Sequence, residues 1–248
     1  MKALRQILKK IRQADTDYGM IQSNDRICVG VSGGKDSVLL LYALHLYRHI
    51  RRHYDHDDFA VIGIHLDPGF GNMDFAPVRS FASEHGMEFH EIQTDIYEAL
   101  KAYPEADGRL SCSRCSQFRK GALTNAAKQY QCNKTALGHH GDDAVETLFL
   151  NMIYGSRISV FEPVSYLSVP DITQIRPMIY VREKEIIEAV RQENIPVVKN
   201  TCPNEGVTQR QRVHGLLESV YAQFPSAEKN FLSSLSNEEQ LSIWKKSE

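Results

Sequence analysis

The chain has 248 residues and a formal net charge of −2, with a pI near 6.6. Hydrophobic residues make up 42% and charged residues 24%, close to the averages of globular proteins, which excludes global disorder and a fibrous architecture. The nearly balanced charge also excludes a uniformly basic surface. Any contact with nucleic acid must therefore come from local basic patches.

The sequence lacks a segment that could cross or enter a membrane. Its longest mainly apolar run, residues 38–47, is interrupted by His45 and is far shorter than a bilayer requires. The amino-terminal segment interleaves cationic and apolar residues and has no small-residue cleavage site, unlike a signal peptide. Five cysteines, an odd number, argue against a disulfide framework. We therefore expect a cytoplasmic protein with no membrane partner.

The predicted elements alternate between strand and helix along the chain. A basic amphipathic helix over residues 4–11 comes first, and short apolar runs then alternate with helical patterns. The predicted strands are 27–31, 59–66, 87–92, 134–137 and 172–175, with 195–198 as a further candidate, and the predicted helices are 38–46, 78–85, 118–129, 142–153, 182–193 and 209–224. Residues 94–111 lack periodicity and predict a long functional loop. The pattern indicates an α/β fold, a doubly wound parallel sheet with helices on both faces.

We divide the chain into three parts on this pattern. Residues 1–24 form an amino-terminal basic helix, residues 25–225 form the main α/β domain, and residues 226–248 form a carboxy-terminal helix or tail.

A phosphate-binding loop is predicted directly after the first strand. Ligands of a doubly wound sheet lie beyond the carboxyl ends of its strands, where helix amino termini present free N–H groups. The loop has the sequence SGGKDS, and its residues are Ser32, Gly33, Gly34, Lys35, Asp36 and Ser37. The glycines allow close backbone approach, the hydroxyls can bind phosphate oxygens, and the lysine supplies positive charge. The spacing is not that of a Walker loop.

A second segment, residues 137–147, follows the fourth strand and opens another helix, so we expect it to face the same cleft. Its carboxylates, Asp142 and Asp143, can hold Mg²⁺ on the phosphates or orient an acceptor, although either one alone would also serve as a helix cap. The preceding His139 and His140 either line the cleft or simply form the turn.

Three cysteines form a candidate metal or redox site. Cys112 and Cys115 have CxxC spacing, and Cys202 lies far downstream. A CxxC pair serves zinc binding, redox exchange or iron–sulfur ligation, and a structural zinc would need a fourth ligand, such as a histidine. Cys28 lies within the first predicted strand and is expected to pack in the core. Cys132 lies in a helix-to-strand connection, and we expect it to have no chemical role.

The phosphate loop resembles the PP-loop of the ATP pyrophosphatases, which share an adenine nucleotide alpha hydrolase-like fold. Further motifs follow it in order: the CxxC pair, LGHHGDDAVETLFLNM, Ile175-Arg176-Pro177, Val181-Arg182-Glu183 and the segment from Cys202 to Gln211. Together they resemble the TtcA group of tRNA thiolases, which make 2-thiocytidine at position 32 of tRNA. The resemblance covers residues 2–224.

The resemblance implies an ATP-dependent sulfurtransferase that adenylates the C2 oxygen of a pyrimidine, here cytidine 32, and replaces it with sulfur. It implies a [4Fe–4S] cluster on Cys112, Cys115 and Cys202, whose three thiolates leave one iron open for hydrosulfide. Among the catalytic residues, Asp36, Asp142 and Asp143 would serve Mg²⁺ and the acceptor. Arg119 would position the base or stabilise its oxygen, with a place on a solvated helix face as the alternative. The remaining nucleotide-binding residues implied are Gly138 and His139, Arg176 at the phosphates, and His65 and Leu66 beside adenine.

The expected cofactors are ATP, Mg²⁺ and the cluster, and the expected partners are tRNA and a sulfur donor, either a cysteine desulfurase or sulfide. The oligomeric state is left open, with a homodimer as one candidate. An alternative is a PP-loop enzyme that thiolates another base or acts on a small molecule, with cysteines that bind zinc or carry persulfide. A nucleotide-binding module without turnover is a third hypothesis.

Overall fold

The computed structural model describes residues 2–71, 73–105, 108, 110–199, 201, 202, 209–240, 242 and 244. The described part of the chain forms six strands: β1 (Arg26–Gly30), β2 (Ala60–Asp67), β3 (Glu88–Gln93), β4 (Lys134–Ala136), β5 (Val164–Leu167) and β6 (Ile172–Ile175). Its α-helices are α1 (Lys2–Tyr18), α2 (Lys35–Ile50), α3 (Ala76–Glu84), α4 (Ile96–Lys101), α5 (Cys112–Gln129), α6 (Gly141–Gly155), α7 (Glu183–Gln192), α8 (Gln209–Gln223) and α9 (Ala227–Ser234). A π-helical turn, Arg51–Asp55, continues α2, and a 3₁₀ turn, Glu238–Gln240, follows α9.

The chain divides into two compact units. The first contains residues 1–140 and 162–205, and the second contains residues 141–161 and 206–248. The second unit has its own apolar cluster, in which Val145 of α6 packs with Val213 and Leu217 of α8. None of the described helices is long and apolar enough to cross a membrane.

The six strands form one sheet in the order β3-β2-β1-β4-β6-β5. All neighbours are parallel except β5 and β6, which are antiparallel. The order of the strands reverses between β1 and β4. Ligands of such sheets bind in the crevice beyond the carboxyl ends of the strands at this reversal, so the fold itself marks the ends of β1 and β4.

Helices cover both faces of the sheet. Ile62 and Ile64 of β2 share a buried cluster with Leu123 of α5. Gly63 faces the other way, and a Cβ at that position would lie 2.6 Å from a methyl group of Leu41 in α2. Because successive residues of a strand point to opposite faces, α2 and α5 lie on opposite sides. The expected doubly wound fold is confirmed.

Three sequence predictions differ from the structure. Residues 195–198 are not a strand, since Pro196 has no N–H to donate to a neighbouring strand. The expected loop over 94–111 contains the short helix α4, which two buried residues, Ile96 and Leu100, anchor. The helix expected to start at residue 118 starts at Cys112, because its first turns are too polar to show an apolar period.

The edge strand β5 was not predicted, since a four-residue strand carries too short a pattern. Residues 245–248 of the expected carboxy-terminal segment lie outside the described residues.

Candidate functional site

The phosphate loop joins β1 to the amino terminus of α2, and its two serines hold it in shape. The N–H of Ser32 donates to Oγ of Ser37 at 3.1 Å, and the Ser37 hydroxyl donates to the carbonyl oxygen of Gly34 at 2.9 Å. The amino-terminal cap residue of α2 is Gly34, which has no side chain to occupy the first N–H groups of the helix. The helix therefore presents its donors and the positive end of its dipole to a ligand.

Gly33 occupies a position where no other residue fits without strain. Its φ is +89°, and a Cβ would lie 2.8 Å from Cζ of Phe75 and 2.9 Å from Cβ of Val198. The N–H of Val198 donates to the carbonyl oxygen of Gly33 at 2.9 Å. The loop is thus packed tightly against the segment that leads to Cys202.

The loop lysine is held by two carboxylates. Nζ of Lys35 lies 2.7 Å from Oε1 of Glu183 at the start of α7 and 3.2 Å from Oδ1 of Asp36. Burial alone would lower the pKa of Lys35, but the hydrogen bond that Lys35 donates to Glu183 and the negative charges of Glu183 and Asp36 outweigh it and raise the pKa above its ordinary value. The ammonium group consequently stays charged at the mouth of the loop. In the sequence, Glu183 stood out only as part of the Val181-Arg182-Glu183 motif, and its ion pair with Lys35 was not predicted.

The turn after β4 packs against the same loop. A Cβ on Gly138 would lie 3.2 Å from both the carbonyl carbon of Asp36 and the backbone nitrogen of Ser37. His140 is buried, and its Nε2 lies 3.8 Å from Oδ1 of Asp36. His139 is half-buried in the same turn. The structure therefore brings Gly138 and His140 to the phosphate loop, and it places His140, which the sequence left open as a cleft or turn residue, beside Asp36.

Asp142 and Asp143 lie in the first turn of α6, within the second unit. Oδ1 of Asp143 accepts a hydrogen bond of 3.0 Å from Arg210 of α8, which also contacts the buried Glu146 at 3.1 Å. His214 lies 2.9 Å from the other oxygen of Glu146. Within its own unit, Asp143 is thus part of an acid–base network that the sequence did not reveal.

The CxxC pair forms the first turn of α5. Ser111 caps the helix by accepting a hydrogen bond from the N–H of Arg114. Cys112 and Cys115 are three residues apart in this helix and therefore lie on one side of it. Cys112 is exposed, and Cys115 and Cys202 are half-buried. Burial raises the pKa of the Cys115 thiol, and the thiols of Cys202 and Cys112 act in the same direction. Cys112 and Cys202 are therefore both close enough to Cys115 to affect its thiol, although Cys202 follows Cys115 by 87 positions in the chain.

Arg119 of α5 is close enough to both Cys115 and His65, at the end of β2, for its charge to act on them. It follows Cys115 by one helical turn, and its charge opposes the rise in the pKa of Cys115. Burial lowers the pKa of His65, and the charge of Arg119 adds to that effect. Nδ1–H of His65 donates to the carbonyl oxygen of Val31 at 2.9 Å, and its ring stacks on Phe75 with centroids 3.5 Å apart. Phe75 was not predicted.

Leu66 and Arg176 are both buried. Leu66 packs in the core beneath α5. The Arg176 guanidinium donates to Oε1 of Gln174 at 2.7 Å, to Oγ of Ser165 at 3.3 Å and to the carbonyl oxygen of Glu162. These bonds tie β6 to the neighbouring edge of the sheet, so the structure gives Arg176 a structural task, and its contact with phosphate stays a prediction.

The other two cysteines, Cys28 and Cys132, lie in the protein interior. Cys28 is fully buried in β1 and Cys132 is buried before β4. Burial raises the pKa of both thiols, for Cys132 to about 11, so both remain protonated. Their placement agrees with the packing role expected for Cys28.

Comparison with known proteins identifies the family. A family model of the PP-loop domain matches residues 2–217. The chain belongs to the PP-loop family. Within this family it is similar to proteins named tRNA-cytidine(32) 2-sulfurtransferase. The one from Geobacter metallireducens is 35% identical over 95% of this chain and 91% of its own length, and the one from Geotalea daltonii is 36% identical over 94% and 91%.

A solved structure supports the fold of this PP-loop protein. The U34-tRNA thiolase NcsA from Methanococcus maripaludis, solved with its [4Fe–4S] cluster, superposes with a TM-score of 0.75 at 20% sequence identity. The superposition covers 97% of this chain and 80% of the thiolase. The expected membership of the PP-loop group is therefore confirmed by the family model, by the sequence relatives and by the architecture.

Proposed function

We propose that the protein is an ATP-dependent tRNA thiolase that replaces the C2 oxygen of cytidine 32 with sulfur. The names of relatives that align over more than nine-tenths of both chains support this activity. The observation that carries the proposal is the adjacency of two chemistries in the first unit. The N–H of Val198, four residues before Cys202, donates to the carbonyl oxygen of Gly33 in the phosphate loop, and the charge of Arg119 acts on both Cys115 and His65.

The phosphate loop would carry out the activation step. The free N–H groups at the start of α2 and the hydroxyls of Ser32 and Ser37 bind phosphate oxygens, while Lys35 neutralises their charge. The C2 oxygen bonds to the α-phosphorus of ATP, the bond between the α and β phosphates breaks, and pyrophosphate leaves. Asp36, at the loop and beside His140, would bind the Mg²⁺ that accompanies the phosphates.

The cysteines would hold the [4Fe–4S] cluster, and the donor set fits such a group. None of Cys112, Cys115 and Cys202 is fully buried, so their sulfur atoms are accessible to a group that binds at the surface. Thiolates are the ligands that hold iron–sulfur clusters. When bound, the cluster would supply an iron without a protein ligand, which can carry hydrosulfide.

The residues around the cysteines would serve the substitution step. Arg119 would hold the activated base between the two halves of the site and stabilise negative charge that develops on the oxygen at C2. Sulfur bonds to C2, the bond from C2 to oxygen breaks, and AMP leaves. Asp142 and Asp143 would orient the tRNA acceptor or bind Mg²⁺, and His139, Leu66 and Arg176 are proposed to border the nucleotide.

The proposed partners are tRNA and a sulfur donor, either a cysteine desulfurase or sulfide, and a homodimer is a candidate assembly. The test is mass spectrometry of tRNA nucleosides from cells with and without this gene, together with the reaction of purified protein, tRNA, ATP, Mg²⁺ and sulfide. Loss of 2-thiocytidine in the deletion and its formation in the reaction are expected. Loss of a different thionucleoside would move the activity to another base, and unchanged nucleosides would overturn the proposal.

A further inference from the structure

Two histidines meet on the surface of α2, away from the residues of the phosphate loop and the cysteines. His45 and His49 are four residues apart, so their side chains lie one turn above the other on the same side of the helix. Their Nε2 atoms are 3.1 Å apart and share a hydrogen bond, and the ring centroids are 4.6 Å apart. His45 is half-buried and His49 is exposed, which leaves the pair open to solvent ions.

The spacing of these two nitrogens suits a shared metal ion. Imidazole nitrogens bind zinc at about 2.0–2.1 Å and suit copper and nickel equally. Two nitrogens 3.1 Å apart, each at that distance from one ion, subtend an angle of about 98°. This angle lies between the octahedral and the tetrahedral values. We propose that His45 and His49 form a two-histidine chelate for a divalent transition-metal ion.

The surroundings of the pair are compatible with a cation. Arg48 lies between the two histidines in sequence, but its guanidinium is engaged by Asp58, with Nε 2.8 Å from Oδ1, so a carboxylate offsets its charge. His85, whose charge also acts on His45, packs edge-on against Tyr42 with ring centroids 4.9 Å apart. Tyr42 lies one turn before His45 in α2. Since the described residues contain no metal-binding group of three, water would complete the coordination, and the ion would exchange freely.

The chelate would stabilise the end of α2. The two nitrogens are close only when this part of the chain is helical, so an ion that bridges them binds the folded state in preference to the unfolded one. The bridged turn directly precedes the π-helical turn Arg51–Asp55. Metal binding is therefore expected to raise the Tm and to clamp this helix end.

The test is calorimetric titration of the full-length protein, purified without oxygen, with Ni²⁺. Thiolates also bind Ni²⁺, so the measurement compares how many Ni²⁺ ions each variant and the unsubstituted protein bind per chain. His45→Asn and His49→Asn should each weaken one site by at least about 10-fold, since each removes a ligand. At about 100 times the dissociation constant, Ni²⁺ should raise the Tm of the unsubstituted protein by roughly 5–10 °C, and this rise should shrink in both variants.

His53→Asn is the matched control, because His53 is an exposed histidine of the adjoining π-helical turn. This variant should bind Ni²⁺ as the unsubstituted protein does. Should both His45→Asn and His49→Asn retain every equivalent at unchanged affinity, or should His53→Asn lose the same equivalent, the chelate is wrong. His49 is exposed, so its variant remains informative even if the half-buried His45 proves necessary for folding.

Discussion

The N–H of Val198 donates a hydrogen bond of 2.9 Å to the carbonyl oxygen of Gly33. This bond joins the phosphate loop to the segment that ends at Cys202, two parts of the chain more than 160 residues apart. The Val198 side chain also fills the space in which a Cβ of Gly33 would lie. A disturbance of the loop is therefore expected to reach the cysteine as well as the nucleotide.

Gly33→Ala tests this coupling. The new Cβ would meet Phe75 and Val198 in a backbone conformation with positive φ, so we expect a loss of about 1–3 kcal/mol in the free energy of unfolding. Urea denaturation measures the loss, and the KM for ATP should rise with it. Gly121→Ala is the control: this position lies within α5 with nothing within 4 Å of its Cβ, so the variant should gain about 0.5–1 kcal/mol. Equal stability of Gly33→Ala and the unsubstituted protein would contradict the packing argument.

Lys35→Ala should abolish tRNA-dependent release of pyrophosphate, because it removes the positive charge at the mouth of the loop. Its ion pairs with Glu183 and Asp36 are partly solvated, so the free energy of unfolding should change by no more than about 1 kcal/mol. Lys101→Ala is a matched control, since Lys101 also pairs with a glutamate, Glu98, on the surface. Turnover that survives in Lys35→Ala would remove the ATP assignment from this loop.

Serine substitution at any of the three clustered cysteines, Cys112, Cys115 and Cys202, should remove the iron–sulfur absorbance of protein purified without oxygen. Three ligands leave no redundancy, so each single variant should lose the colour. Adenylation should persist, because the proposed ATP site uses no iron.

Substitution of the two remaining cysteines provides the controls. Cys132→Ser and Cys28→Ser should keep the absorbance, although Cys28→Ser should lose about 1–3 kcal/mol of stability, since it places a hydroxyl in the core. Anaerobic protein that contains stoichiometric zinc, lacks iron and still thiolates tRNA would show that the cluster is wrong and would favour a persulfide on one of these cysteines.

Binding to tRNA should weaken steeply as salt increases, with a slope of about −0.7 to −0.9 in log K against log salt for each phosphate contacted. Arg5 and Lys9 on the exposed side of α1 are the contacts to test, and the double glutamine variant should reduce the slope by roughly 1–2. Filter binding at several salt concentrations measures the slope. Arg48→Gln should have little effect, since Asp58 already engages this arginine. An affinity that ignores salt would argue against tRNA.

Local patterns in the sequence were sufficient for the fold class and for the phosphate loop. Strand β1, the glycine pair, Lys35 and the start of α2 are contiguous, so their order alone predicted both the structure and its chemistry. The buried Cys28 was likewise readable from its place in an apolar run. The prediction of a strand at 195–198 was wrong, because an apolar run alone does not provide a neighbouring strand to pair with. Pro196 also lacks a backbone N–H to donate to such a neighbour.

The sequence by itself determined the alternation of strands and helices, the phosphate loop and the CxxC pair, because each is encoded over a few neighbouring residues. Only the tertiary structure decided which distant groups meet: Val198 with Gly33, and Glu183 with Lys35. It also tied Arg176 to Ser165 in the edge strand of the sheet. Such contacts depend on the order of strands in the sheet and on the packing of its helices, and no local spacing in the chain records them.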